Sequence, residues 1–453
     1  MARITLAQAA VWCGGTVDPK YAEVAFYGAS NDSRSIQTGE LFVALQGARD
    51  GHDFVPMALS NGAAAVLCTH CDGDYPAIVV EDTRIALGKI AAGERERIGM
   101  KVVGVTGSVG KSTTKEMICA VLASSFRVSK TPANHNNDIG MPMAILSIPE
   151  DTQIAVLEMG MNHFGEISYL TNIAKPDLAV IVNIGTMHIE HLGSREGILQ
   201  AKLEILEGLA NDGAILLNGD DDLLWSVRSR KNMPAVYFGI ANDACEVCGS
   251  DVSTEDGKLT FCVSAENAAF RVKLPLEGEH YALDALAAIS VGLKLEIAPE
   301  KIAAALEDFQ NMAGRQEIFE KNGYTVIKDC YNAGPESMTA ALKVLGKKPG
   351  RHIAVLGDML ELGMRAPAEH YRIGRIAAEH ADIVLAYGSQ GSRVVSGAVT
   401  GGMSETKVRA FNDRSALVSA LKALAKPGDA ILFKGSHGMH MELALEAFFG
   451  EEA

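Results

Sequence analysis

Residues 104–116 read GVTGSVGKSTTKE, a pattern suited to gripping phosphate. Gly107 and Gly110 let backbone amides approach phosphate oxygens with no side chain in the way. Lys111 supplies a point charge for the outer phosphates. Ser112 opens the following helix, where its hydroxyl can reach a magnesium ion and the helix dipole favours anions. Thr106, Ser108, Val109 and Thr113 complete the segment. The general phosphate loop, G-x-x-x-x-G-K-[ST], has glycine where this chain has Val105, and Gly104 comes one residue early. The flanks fit all the same: a strand-like KVVGVTG before the loop and a helical KSTTKEMICAVLASSF after it. The reading is a nucleotide phosphate site, set against the plainer one of a glycine turn before a helix.

A phosphate-bound magnesium needs oxygen ligands. Glu158 ends the apolar run Ile154–Leu157, and in a parallel sheet the carboxyl ends of strands line the ligand crevice. An exposed acid at a strand end is its plain alternative. His188 follows another core strand, where a hydrogen-bonded structural histidine is the usual case. Lys202 lies on a helix, where a solvated lysine is the default. Spacing alone singles out neither. A GTPase would carry D-x-x-G and [NT]-K-x-D, and a protein kinase H-R-D and D-F-G; the sequence has none of these.

The elements that must hold these groups follow an α/β pattern. The chain has 453 residues, 48% of them apolar and 21% charged, enough for about three domains with sizeable cores. Residues 1–98 form a small α/β region with glycine-punctuated runs, including a strand at Leu41–Leu45 and a helix over Phe54–Asn61. From 99 to 311, TQIAVLEMG, DLAVIVNIG, GAILLNGDD and AVYFG read as buried parallel strands. A β-rich stretch (244–275) and two helices, HYALDALAAISVGLKL and PEKIAAALEDF, follow. Residues 312–453 hold a second doubly wound, Rossmann-like unit, with strands in GYTVIKDCY, HIAVLGDM, DIVLAYGS, KVRAFND and DAILFKGS.

The formal net charge of −15 argues against nucleic acid or an anionic membrane surface as the main partner. The first fifteen residues lack a signal-peptide pattern, and no run of about 18 apolar residues occurs, so a cytoplasmic protein without membrane insertion is expected. Cys68/Cys71 and Cys245/Cys248 form two C-x-x-C pairs. They could make a four-thiolate zinc site only if the fold joined them; free thiols are the plainer expectation.

GVTGSVGKSTTKE, together with LEMGMN and HIEHLGSREGILQAKLEI, resembles the Mur ligases, the ATP-dependent amino-acid ligases of peptidoglycan synthesis. Their loop has the form G-x-T-G-[ST]-x-G-K-[ST], with the early glycine seen here. The resemblance covers nearly the whole chain. DSRSIQTGELFVALQGARDGHDF (32–54), NHNNDIGMP (134–142), KDCYNAGPESMTAAL (328–342) and AVLGDMLELG (354–363) resemble the branch that joins D-alanyl-D-alanine to UDP-N-acetylmuramoyl-tripeptide. The D-N-P-R element of the diaminopimelate-adding branch is absent.

The resemblance implies roles. The first domain would hold the UDP-sugar, with Ser33 and Arg34 near the diphosphate. Asn134, Asn136 and Asn137 would face the substrate. Thr106, Gly107, Ser108, Val109, Gly110, Lys111, Ser112 and Thr113 would bind ATP, joined by Arg315 and Asp329 of the C-terminal domain, the aspartate on the ribose. Ser112, Glu158, His188 and Lys202 would serve a pair of Mg2+ ions, Lys202 as a CO2-derived carbamate. Lys111, Glu158, His188 and Lys202 form the implied catalytic set of a monomeric bacterial enzyme. Two departures stand out. Tyr281 and Asp284 replace asparagines of the H-N-x-x-N-A-L-A-A pattern, which touches the adenine contacts. His437 replaces the arginine of K-G-S-R. The alternatives are a related ligase acting on another amino acid or another carboxylate acceptor, and a non-catalytic nucleotide-binding protein.

Overall fold

A computed structural model describes residues 3–230, 233, 235–255 and 257–450. The outermost residues of the first and third sequence regions, and Lys231, Asn232, Pro234 and Asp256, lie outside the described residues. Besides a two-stranded antiparallel sheet of Ile4–Thr5 and Ala25–Phe26, three larger sheets organise the chain into three α/β domains. The first is a four-stranded parallel sheet in the order Ala29–Ser30, Leu41–Val43, Ala65–Cys68, Ala77–Val79. The third has six strands, ordered Glu317–Lys321, Tyr324–Asp329, Ala430–Lys434, His352–Gly357, Ile383–Tyr387, Val408–Phe411. All of its pairings are parallel except the first.

The middle sheet has nine strands. Lys101–Thr106 sits between Ile154–Glu158 and Leu178–Ile181, all parallel. The chain first builds outward on one side, through Val128–Lys130 and Ile154–Glu158. It then crosses back to Leu178–Ile181, Ala214–Asn218 and Ala235–Gly239, and ends in the antiparallel strands Val247–Glu255, Lys258–Ala265 and Ala268–Leu274. Lys101–Thr106 is therefore the topological switch point, and a crevice opens beyond its carboxyl end. The phosphate loop, Glu158 and the segment after Ile181 all lie at that end.

Successive residues of these strands enter opposite cores. Val102, Ala155, Leu157, Ala179 and Ile181 pack on one face, and Val103, Val105, Val156 and Val180 on the other. With both faces covered, a strand shows an unbroken apolar run, as the sequence does. This explains Val105. It belongs to the strand rather than the loop and is fully buried with Met117, Ile118 and Leu286, a burial that contributes ~1.5–3 kcal/mol. The special position is Gly104, where an added Cβ would stand 3.1 Å from Met159 Cε and 3.4 Å from Ile205 Cδ1.

Helix Lys111–Ala123 packs on helix His280–Lys294. The alanines 282, 285, 287 and 288 keep that contact close, and a Cβ at Gly292 would fall 2.7 Å from Val121 Cγ1. Helix Thr83–Ile98 is capped by Asp82, ends at Gly99, and fixes the first domain to the second through Arg95, which donates to the carbonyls of Ala174 (2.9 Å) and Lys175 (2.7 Å).

Some boundaries differ from the sequence reading. The first-domain strand stops at Val43, and its helix is Val55–Ser60 with a 3-10 turn, Gly51–Phe54, before it. Edge strand Glu317–Lys321 was not foreseen: none of its residues is buried, so it lacks the apolar run that marks its neighbours. The two C-x-x-C pairs belong to different sheets, and all eight cysteines are free.

Candidate active site

A cavity of about 720 Å3 opens at the switch point. Ser108, Val109, Gly110, Lys111, Ser112 and Thr113 line one wall, with Asn136, Asn137, Glu158, His188 and Lys202 beside them. Arg315, Asp329, Glu336 and Glu361 line the wall contributed by the third domain. Thr106 and Gly107 lie just behind this surface. Ser33, Arg34 and Asn134 do not line it: Ser33 is buried with its hydroxyl on Met57 Sδ (3.3 Å), and Arg34 pairs with Asp32 at 2.7 Å.

The loop is already shaped. Asn183, at the end of the neighbouring strand, accepts from the amides of Ser108 (3.1 Å) and Val109 (3.0 Å), and its own amide donates to Val109 O (2.9 Å). Gly110 has φ 84°, a left-handed conformation suited to glycine, and a Cβ there would lie 2.6 Å from Asp284 Oδ1. Lys111 Nζ donates to the carbonyls of Gly107 (2.9 Å) and Ser108 (3.3 Å). Burial lowers its pKa, while the Glu158 charge acts the other way.

Glu158 is 2% exposed. Asn136 Nδ2 donates to its Oε1 at 2.9 Å, and its backbone N–H donates to Thr131 Oγ1 at 3.0 Å. Its Oε2 is buried with no hydrogen-bond partner among the described residues. A buried carboxylate oxygen without a hydrogen bond, on a residue that lines the cavity beside the phosphate loop, fits a hard cation. Among the described residues no three His, Cys, Asp or Glu side chains converge as a metal cage. Ser112 Oγ, which accepts from Arg315 Nη2 at 2.9 Å, adds a second oxygen to the set.

Lys202 is 2% exposed and has no hydrogen bond or ion pair among the described residues. Burial first, and the Lys111 charge second, hold its pKa well below that of a free lysine. Both causes move its amine towards the neutral, nucleophilic form. His188, in a left-handed conformation with φ 62°, has Nδ1 3.1 Å from Glu361 Oε2 of the third domain.

Asp329 receives Lys434 Nζ at 2.6 Å and the Gln316 amide at 3.3 Å. Arg315 lies over the Tyr331 ring, 4.1 Å from its centroid. Glu336 accepts from both the amide (3.1 Å) and the hydroxyl (3.0 Å) of Thr186. Asp284 is buried, accepts from Thr114 Oγ1 at 3.1 Å, and has its pKa raised to about 7 by desolvation.

The middle of the chain, residues 105–292, matches the family model for the Mur ligase middle domain. Residues 314–437 match the Mur ligase, glutamate ligase domain, and residues 25–95 the Mur ligase family, catalytic domain. The chain belongs to the Mur ligase family. It is 40% identical to the UDP-N-acetylmuramoyl-tripeptide–D-alanyl-D-alanine ligase of Bacillus subtilis, over 95% of this chain and 94% of the relative. Among solved structures it resembles MurF from Acinetobacter baumannii, with a TM-score of 0.92, 32% identity and full coverage of both chains. A second is MurF ligase from Thermotoga maritima in complex with ADP, with a TM-score of 0.83 and 30% identity over 93% of this chain and 97% of that one.

Within this family site, the sequence reading missed Asn183, Glu336, Glu361 and Lys434. Asn183 and Lys434 carry a weak signal, since each is a polar residue at the carboxyl end of an apolar strand. Glu336 and Glu361 carry none, because their part depends on how the third domain docks.

Proposed function

We propose that the chain is the ATP-dependent ligase that joins D-alanyl-D-alanine to UDP-N-acetylmuramoyl-tripeptide, producing ADP, phosphate and the pentapeptide precursor of peptidoglycan. The observation that carries this reading is the meeting, in one cavity, of a shaped phosphate loop, the Glu158 carboxylate and Lys202, whose amine has no hydrogen bond or ion pair among the described residues. The names and full-length similarity of the relatives support the choice of acid and amine.

A carboxylate is a poor electrophile. Transfer of the ATP γ-phosphoryl group to the tripeptide carboxylate gives an acyl phosphate and ADP. The dipeptide amine then attacks the acyl carbon, loses a proton, and the tetrahedral intermediate releases phosphate as the amide forms. Lys111 and the loop amides hold the phosphates in line, so positioning and charge neutralisation supply most of the rate. Magnesium, held by Ser112 and Glu158 with help from His188, would neutralise phosphate charge. Lys202 in its neutral form would add to CO2 with release of one proton, and the product carbamate carries a negative charge where the neutral amine carried none. Arg315 and Asp329 bring the third domain onto the nucleotide, and closure keeps water from the acyl phosphate. Ser33 and Arg34, outside this cavity, would take the UDP diphosphate; Asn136 and Asn137 line the cavity and face the peptide end, with Asn134 in the same segment.

The reading places a monomeric enzyme in the bacterial cytoplasm with no nucleic-acid or membrane partner. Among the described residues no helix is long and apolar enough to cross a membrane. Phosphate release from ATP tests the function directly. Release is expected only when UDP-N-acetylmuramoyl-tripeptide and D-Ala-D-Ala are both present; none with both would sink the reading. Running the assay with diaminopimelate- and lysine-containing tripeptides identifies the third residue. Lys202→Ala is expected to lose ~10²–10³-fold in turnover and to regain part of it with added acetate or bicarbonate. Full activity in the variant removes the carbamate.

A further inference from the structure

Lys115 stands one helical turn beyond Lys111, and the chemistry above makes no use of it. Its side chain is fully buried beside Met117 and Ile118. Nζ donates to Thr131 O at 2.8 Å and lies 3.4 Å from Glu116 Oε1 and 3.8 Å from Glu158 Oε2. Thr131 is also fully buried; its amide donates to Val156 O at 3.1 Å and its hydroxyl accepts from the Glu158 amide. Lys115, Thr131 and Glu158 thus close a ring of contacts beneath the cavity floor.

A buried ammonium is costly unless its charge is met. Glu116 already pairs with the half-exposed Lys130. Glu158 is different: among the described residues, Lys115 is the one cation within 4 Å of its carboxylate. Asn136 holds Oε1 and the Thr131 hydroxyl holds the backbone, while Oε2 receives charge from Lys115 but no hydrogen bond. Glu158 lines the cavity, so the carboxylate that a cation there would meet already carries a fixed counter-charge.

We propose that Lys115 is a positioning residue, the fixed counter-charge of Glu158 that keeps the carboxylate aimed into the cavity and tempers its attraction for a divalent cation. The inference rests on the reading of Glu158 as the metal-facing carboxylate. A permanent cation 3.8 Å from that carboxylate opposes an arriving dication. The site then takes its metal together with the nucleotide and releases it with the product, instead of retaining it between turnovers.

The test is calorimetric titration of Mg2+ into the full-length protein with a non-hydrolysable ATP analogue, for wild type, Lys115→Met and Lys115→Gln. Both variants are expected to bind Mg2+ about threefold or more tightly than wild type. Both should also gain more in melting temperature when Mg2+ is added. Wild-type Mg2+ affinity with a lowered melting temperature, regained in Lys115→Gln because that side chain still donates to Thr131 O, reduces Lys115 to a structural support and overturns the proposal. If neither single variant folds, Glu158→Gln combined with Lys115→Met decides. Removing the carboxylate should recover folding, and failure to recover it also overturns the pairing. Glu158→Gln alone is expected to weaken Mg2+ by about tenfold. Unchanged affinity there rejects the metal-facing reading itself, separately from any role of Lys115.

Discussion

The two walls of the cavity are built differently. The wall from the middle domain is held by that domain's own groups: Asn183 on the loop amides, Asn136 and Thr131 on Glu158, Gly107 and Ser108 carbonyls on Lys111. The wall from the third domain is held by side chains reaching across: Arg315 to Ser112, Glu336 to Thr186, Glu361 to His188, and Lys347 to Glu279 at 2.8 Å. One wall keeps its shape whether or not the other is present. The other exists only when the domains are closed, and one of its ties, Lys347 to Glu279, is an exposed ion pair worth ~0–1 kcal/mol. Opening is therefore cheap, and the bound nucleotide can supply the difference.

This contrast can be broken or sharpened by mutation. The largest effect is expected from the fixed wall: Lys111→Ala should lower turnover by ~10³-fold or more, measured as phosphate release, with an unchanged circular dichroism spectrum. A loss under tenfold would mean the loop does not carry the phosphates. Arg315→Ala, on the movable wall, should cost ~10–100-fold in kcat/KM and leave the melting temperature of the ligand-free protein within a degree or two. A large drop in melting temperature would show that this wall is part of the permanent structure.

Asp284 probes the fixed wall through stability. Its pKa is raised to about 7 by burial against an ordinary value of 3.8, so the native state binds the extra proton between those values. Its contribution is neutral below pH 4, becomes increasingly destabilising as pH rises to 7, and is constant above. Asp284→Asn should therefore be more stable than wild type at pH 8 by roughly 2–4 kcal/mol, with the gap closing towards pH 4. Urea melts at both values check it, and a pH-independent difference would contradict it. The smallest effect is expected from Glu336→Gln, about threefold to tenfold, chiefly in KM. A pure kcat effect would place Glu336 at the reacting atoms.

Much of the fixed wall was legible in the sequence, because it is local. The strand before the loop, Lys101–Thr106, and the helix after it, Lys111–Ala123, are strongly patterned, and Glu158 stands at the end of an unmistakable buried strand. Lys202 and His188 became visible only through family resemblance, since a lysine on a helix and a histidine after a strand have commoner explanations. Lys115 was hidden inside the same quoted motif, because its role depends on Thr131, a partner 16 residues away. The movable wall was the least legible: Glu336 and Glu361 act across a domain boundary that no local period encodes.

The joint between the walls has a consequence for anyone recombining these proteins. Asn311 donates to the Arg315 carbonyl at 2.6 Å and accepts from the Met312 amide at 2.9 Å, and Arg315 itself rests on Ser112. This segment is a fitted coupling rather than a tether. A chimera that exchanges third domains between relatives should carry its crossover before Phe309, so that the coupling and its Tyr331 platform come from one parent. Lengthening it with a glycine-serine insert would leave both halves folded and the enzyme out of register with its own nucleotide.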